Sequence, residues 1–204
     1  PEEYVVCRVL QQNADSIIKE YELYEKLSAD RFDANHEDHG LVSAPRLRGK
    51  WKYLHLLREN EGWDDELCAS YFPITCRVLR ETAPVDGVLR TDRQGNSLDC
   101  TGFCHAMRRP GPVAFYKLEA GASVPLHSGP TNQRLKCQLV VKAPPGGYAW
   151  LEVMGERRVV NKGDVYGLDD SYLHQVYNGG GLNKNETRVV LDVSFWHPGL
   201  QVIP

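Results

Sequence analysis

The 204-residue chain lacks a dominant charge: 24 Lys and Arg stand against 27 Asp and Glu, a formal net charge of −3. A chain that grips a nucleic-acid polyanion needs a basic face, so no nucleic-acid partner is expected. No apolar run has the length that crosses a bilayer, so no membrane span is expected either. Cys7, Cys68, Cys76, Cys100, Cys104 and Cys137 form no paired Cys-x-x-Cys pattern, which argues against a zinc ribbon. There is no internal repeat and no low-complexity segment. The start, Pro1-Glu2-Glu3-Tyr4, has neither Met nor the apolar core of a signal peptide. A targeting segment upstream, and with it the compartment, is left open.

What is present is ordinary for a globular domain: 42% hydrophobic and 25% charged residues. One domain is expected, with residues 1–50 as an N-terminal helix and loop and 51–204 as a barrel with a supporting helix. Apolar residues recur at helical spacing from Asp15 to Leu27, with Asn13 or Asp15 as cap, and predict one amphipathic helix on the outside of a sheet. Arg31 to Lys50 and Ala83 to Gly102 read as loops. Trp51 to Leu57 alternates weakly, and Asp64 to Thr82 reads as helical text broken at Pro73. Beyond that the period becomes two. Strands are expected at Val113–Leu118, Leu135–Lys142, Ala149–Val153, Glu156–Val160, Asp164–Gly167, His174–Tyr177 and Val189–Phe195, separated by Gly- and Asn-rich turns. Helices followed by many short strands give an α+β, mainly β fold: a sandwich or a barrel. Cys68 and Cys76 flank a Phe-Pro turn and form either a disulfide or two thiols. Cys100 and Cys104 are also close in sequence. Asn185-Glu186-Thr187 fits the glycosylation pattern, one that arises often by chance.

Three landmarks carry chemistry. They are Val124-Pro-Leu-His127-Ser-Gly129-Pro-Thr-Asn132, then Leu168-Asp169-Asp170-Ser-Tyr-Leu-His174, then Arg188 leading to Phe195-Trp196-His197-Pro198. Two histidines in turn-like settings among apolar strands suggest a metal inside a barrel, and Arg188 suggests a carboxylate beside it. Neutral imidazole suits iron, copper, nickel and zinc, and two histidines leave coordination positions free. Iron(II) oxygenases usually add a carboxylate two residues after the first histidine; here that position is Gly129, which cannot ligate.

These landmarks, together with Arg134-Leu135 and, upstream, Trp51, Glu66-Leu67-Cys68, Pro73 and Thr75-Cys76, resemble the aspartyl/asparaginyl β-hydroxylase family over roughly residues 50 to 200. The resemblance implies a double-stranded β-helix, a jelly-roll-like barrel. It also implies Fe(II), 2-oxoglutarate and dioxygen as cofactor and co-substrates. Family members hold iron with two histidines and no carboxylate, so Gly129 supports the match. By this likeness His127 and His174 ligate the metal, and Asp170 orients the water in the third place. Arg188 corresponds to the arginine that pairs with the distal carboxylate of 2-oxoglutarate, across a gap for the loop Gly179 to Asn185. Arg134 corresponds to a substrate-carboxylate arginine, and Trp51 lines the pocket. Three positions depart: Lys136 stands for a second arginine, Gln138 for a histidine and Tyr116 for a serine that helps seat 2-oxoglutarate.

The plainer alternatives are a core tryptophan at Trp51, a turn cap at Asp170 and a surface ion pair at Arg188. His36 and His39 are expected to be solvated, and His55, His105 and His197 to pack or hydrogen-bond. The expected activity is hydroxylation of an unactivated C–H bond in an amino acid or peptide residue, with a carboxylate-bearing substrate. The alternatives are a tailoring oxygenase for a small molecule or lipid, and a barrel that binds a carboxylate or metal without catalysis.

Overall fold

The computed structural model describes residues 4–28, 33–34, 51–58, 61–82, 112–129, 132 and 134–196. His36, His39, Cys100, Cys104, His105, His197, Pro198 and the loop expected from Ala83 to Gly102 lie outside the described residues.

The first helix, α1, spans Val5–Leu27 and begins well before the expected Asp15. The apolar stripe continues upstream through Val6, Cys7, Leu10 and Ala14, all buried, so the packed face decides where the helix starts. Asn13 does not cap: its amide donates to the Val9 carbonyl one turn back, at 2.8 Å. Two short strands, β1 (Asp33–Ala34) and β2 (Trp51–Arg58), pair antiparallel, so the expected loop carries a two-residue strand. β3 (Gly62–Trp63) also pairs with β2.

Helical text resumes with α2 (Asp65–Tyr71) and α3 (Pro73–Arg80), and Pro73 separates them as expected by opening α3. Asp64 caps α2, accepting from the Leu67 N–H at 2.9 Å. α3 starts after Phe72, whose side chain has no acceptor, and its cap comes from α1. Glu20 accepts from the Ile74 N–H (2.6 Å), the Thr75 N–H (2.9 Å) and the Thr75 hydroxyl (2.6 Å). Cys68 and Cys76 form a disulfide across the α2–α3 corner, and a second disulfide, Cys7–Cys137, ties α1 to the sheet.

The remaining strands are β4 (Val113–Leu118), β5 (Ser123–His127), β6 (Arg134–Lys142), β7 (Ala149–Val153), β8 (Glu156–Val159), β9 (Val165–Leu168), β10 (His174–Asn178) and β11 (Arg188–Trp196). All the expected strands form, with ends shifted by a residue or so. β5 was not expected, because Pro125 lies inside it. The four-stranded sheet runs β5-β10-β7-β8, so β5 is an edge strand, where the N–H that proline lacks is not missed. The larger sheet runs β1-β2-β4-β11-β6-β9. The fold is α+β, mainly β, with two antiparallel sheets closing a jelly-roll-like barrel.

Each face of the larger sheet has its own role. Leu135, Cys137, Leu139 and Val141 of β6 and Val189, Leu191, Val193 and Phe195 of β11 pack with α1, α2 and α3 in the main core. The alternate residues face the smaller sheet, where Val140, Tyr166 and Val190 meet Ala149, Leu151 and Val160. This inner apolar layer is thin, and polar side chains fill the rest of it.

Candidate metal and carboxylate site

His127 ends β5 and His174 begins β10, and the two are direct partners in the antiparallel register. His174 thus opens the strand expected from it, while His127 closes β5, a strand that was not expected. Their rings lie 4.1 Å apart between centroids, and both residues are buried. His127 Nδ1 donates to the Pro125 carbonyl at 2.7 Å, and His174 Nδ1 donates to the Tyr172 carbonyl at 2.8 Å. A carbonyl oxygen only accepts, so each Nδ1 carries the proton and each Nε2 keeps its lone pair. Burial, reinforced at His127 by the neighbouring His174, lowers the pKa of His127 to about 4 and also lowers that of His174. Both rings are thus neutral, the form that ligates a metal. Among the described residues no group of three or more His, Cys, Asp or Glu side chains is placed to hold a metal ion. The donor set is two imidazoles.

Two residues after β5 ends, Gly129 stands where there is no room for a side chain. A Cβ there would lie 2.5 Å from Asp170 Oδ1 and 2.7 Å from Oδ2. The Asp170 carboxylate occupies the space that a residue-129 side chain would need, and the Gly129 N–H donates to the Asp170 carbonyl. Turn capping falls to the preceding residue: Asp169 accepts from the Ser171 N–H (3.0 Å) and hydroxyl (2.6 Å). Asp170 is left buried beside the histidines. Burial raises its pKa, opposed by Lys136, whose ammonium is 3.8 Å away.

From Asp170 a polar chain crosses the barrel interior. Lys136 lies 3.2 Å from Asp192 Oδ1, Gln138 donates to Asp192 Oδ2, the Tyr166 hydroxyl donates to Gln138 Oε1 at 2.6 Å, and Arg188 donates to the Tyr166 oxygen at 3.0 Å. Burial alone would lower the pKa of Lys136, but Asp192, Tyr116 and Asp170 outweigh it and hold it above its ordinary value. Burial likewise raises that of Tyr166.

Arg188 opens β11 and is 3% exposed. The loop before it is well organised: Asn178, fully buried, donates to the Leu118 and Glu186 carbonyls at 2.9 Å each and accepts from the Gly180 N–H at 3.0 Å. Among the described residues no carboxylate pairs with Arg188, and its Nε has no partner. Its cost is that of a buried charge awaiting an anion.

Tyr116 stacks on Trp51, with centroids 5.1 Å apart and planes at 21°, and its ring centre lies 5.9 Å from the Lys136 ammonium. Trp51 also packs against the apolar cluster of Leu118, Ala122 and Val124, so the two stacked rings stand between that cluster and Lys136. Arg134 sits on the same face of β6, two residues before Lys136. His55 packs against the Tyr53 ring at 4.8 Å and takes no part. Two members of the site, Asp192 and Tyr166, were not picked out from the sequence. Asp192 had a signal, since a lone carboxylate inside Val-Val-Leu-Asp-Val-Ser-Phe needs a buried partner. Tyr166 had none.

The chain is similar to several known proteins. The chain is 31% identical over 193 residues to aspartate beta-hydroxylase domain-containing protein 2 of Homo sapiens, which covers 94% of this chain and 44% of that protein. It is 26% identical over 155 residues to the aspartyl/asparaginyl beta-hydroxylase of Mus musculus, covering 76% of this chain and 17% of that protein. The chain thus spans less than half the length of these relatives. A cupin-like protein of Thermotoga maritima aligns in structure with a TM-score of 0.40 at 14% identity, over 83% of this chain and 89% of that one. The profile of the family described as aspartyl/asparaginyl beta-hydroxylase matches residues 11–198. With that match running through nearly the whole chain, the protein belongs to the aspartyl/asparaginyl beta-hydroxylase family.

Proposed function

We propose that the chain is an iron(II)- and 2-oxoglutarate-dependent oxygenase that hydroxylates an unactivated C–H bond of an amino-acid or peptide-residue substrate. The observation that carries this reading is the buried, anion-free guanidinium of Arg188 inside a barrel headed by two neutral imidazoles. Those groups ask for a metal at one end and a carboxylate at the other, and a keto-dicarboxylic acid spans the two. The donor set fits iron(II): two imidazole nitrogens, with the remaining positions open to oxygen ligands. Iron(II) with 2-oxoglutarate supplies activation of dioxygen, one oxygen atom going to the substrate C–H and the other to succinate as carbon dioxide leaves.

The chain's own residues orient and exclude. His127 and His174 would hold the metal through Nε2, their rings fixed by the Pro125 and Tyr172 carbonyls. Asp170, whose carboxylate fills the space beside Gly129, would accept a hydrogen bond from a water and orient it toward the histidines. Arg188 would pair with the distal carboxylate, with Tyr166 holding the guanidinium in line. Trp51 and Tyr116 would keep bulk water from the pocket.

Anaerobic addition of iron(II) and 2-oxoglutarate should give a weak visible metal-to-ligand band, which His127→Ala should abolish. With oxygen and a panel of amino acids and peptides, 2-oxoglutarate should turn over to succinate. No band and no succinate would sink this reading. Stabilisation by 2-oxoglutarate without oxygen uptake would instead favour a non-catalytic carboxylate-binding barrel, a reading that draws on Lys136 being already paired with Asp192.

A further inference from the structure

Asp192 sits in the middle of β11, 1% exposed, with both carboxylate oxygens engaged. It faces Gln138 directly across the β6–β11 register and reaches Lys136 on the diagonal. We propose that Asp192 determines specificity by positioning. It withdraws Lys136 and Gln138 from ligand binding and leaves Arg188 as the anchor for a ligand carboxylate. This rests on the proposed 2-oxoglutarate reading of the pocket.

Three observations carry it. First, the Lys136 ammonium is enclosed by acceptors: Asp192 at 3.2 Å, Asp170 at 3.8 Å and the Tyr116 ring at 5.9 Å. One positive charge stands between two carboxylates, so nothing is left over to attract an anionic ligand. Second, Asp192 fixes the direction of every hydrogen bond in the chain. An ionised carboxylate only accepts, so Gln138 presents Nε2 to it and Oε1 to Tyr166. The Tyr166 proton then points to Gln138, and its lone pair faces Arg188. Third, Arg188 is the only Lys or Arg buried among the described residues, and that one bond leaves the rest of its five N–H donors for a ligand. The pocket therefore recognises one carboxylate by charge at its Arg188 end. The position beside the histidines, where Lys136 stands, contributes no net positive charge.

The test is a double-mutant cycle on the chain with Lys136→Met, Asp192→Asn and both together, read in two ways. In melting experiments without ligand, Lys136→Met strands the buried Asp192 carboxylate and should lose about 10 °C, Asp192→Asn leaves the partly buried Lys136 with only Asp170 and should lose less, and the double variant should return to within a few degrees of wild type. In calorimetric titration of 2-oxoglutarate with manganese(II) present, Lys136→Met alone should bind at least tenfold more weakly than wild type. The double variant should bind within about threefold of wild type. A double variant as weak as Lys136→Met would mean that Lys136 grips the ligand itself, and the proposal falls. Melting losses that simply add would overturn it as well. If 2-oxoglutarate does not bind the wild type at all, the proposed function and the specificity role fall together, and the melting cycle still decides whether Lys136 and Asp192 are a pair.

Discussion

Along β11, Val189, Leu191, Val193 and Phe195 pack toward the helices, while Arg188, Asp192 and Ser194 are buried on the side that meets the smaller sheet. On β6 the same alternation sets Leu135, Cys137, Leu139 and Val141 against Arg134, Lys136 and Gln138. Neighbouring residues of one strand thus belong to different economies of interaction. The outer face is apolar, tied to α1 by a disulfide, and fills space. The inner face holds polar groups that satisfy one another in sequence until Arg188, where the series stops with no anion among the described residues. The difference teaches that rigidity comes from one side of the sheet, while the other carries the polar groups on which the proposed recognition rests. It predicts that substitutions on the two faces separate in their effects.

The largest effect is expected at the bond between helix and sheet. Cys7 and Cys137 are 130 residues apart, and closing so long a loop stabilises by about 4–5 kcal/mol. Cys7→Ser should lower the melting temperature by about 10–20 °C in a thermal scan, with ligand affinity in the folded protein unchanged. On the inner face the pattern should invert. Arg188→Met removes a buried charge, so the ligand-free protein should melt no lower than wild type, while affinity for 2-oxoglutarate measured by calorimetry should fall roughly 30- to 1,000-fold, the equivalent of about 2–4 kcal/mol. Next to it in strength, Leu191→Ala should cost about 3 kcal/mol in denaturant melts and leave 2-oxoglutarate binding intact. Gly129→Ala should cost somewhat less stability than Leu191→Ala, about 1–3 kcal/mol, as the new methyl pushes the Asp170 carboxylate aside. Its imprint belongs with the inner face: succinate formation should drop by far more than the melting temperature suggests. If Leu191→Ala impaired ligand binding as strongly as Arg188→Met, the division between faces would be wrong.

How much of this was legible beforehand follows the same division. Alternation along β6 and β11 announces strands, and a helical stripe announces α1, because apolar periodicity is written locally. The start of α1 was not legible from caps: Asn13 is chemically fit to cap but lies mid-helix, and the buried run from Val6 to Ala14 overrides it. β5 hid behind Pro125, since an edge strand tolerates what a central one would not. The histidines, Asp170, Lys136, Gln138 and Arg188 could be named from the family likeness, and the fold brings them into one connected interior. What could not be read was who satisfies whom. Asp192 meets Lys136 only because β11 lies beside β6, and Tyr166 joins only because β9 lies on β6's other edge. The Cys7–Cys137 link was invisible for the same reason.

The Glu20 carboxylate has a consequence in time as well as in space. α3 is eight residues long, too short to persist alone in water. The acceptors for its first free N–H groups lie 54 and 55 residues earlier in the chain. A helix so dependent on a distant side chain forms only once α1 has docked, which makes the α2–α3 corner a late event in folding. Slowing that docking with Glu20→Ala should delay pairing of Cys68 with Cys76 during oxidative refolding, although the two cysteines are only eight residues apart.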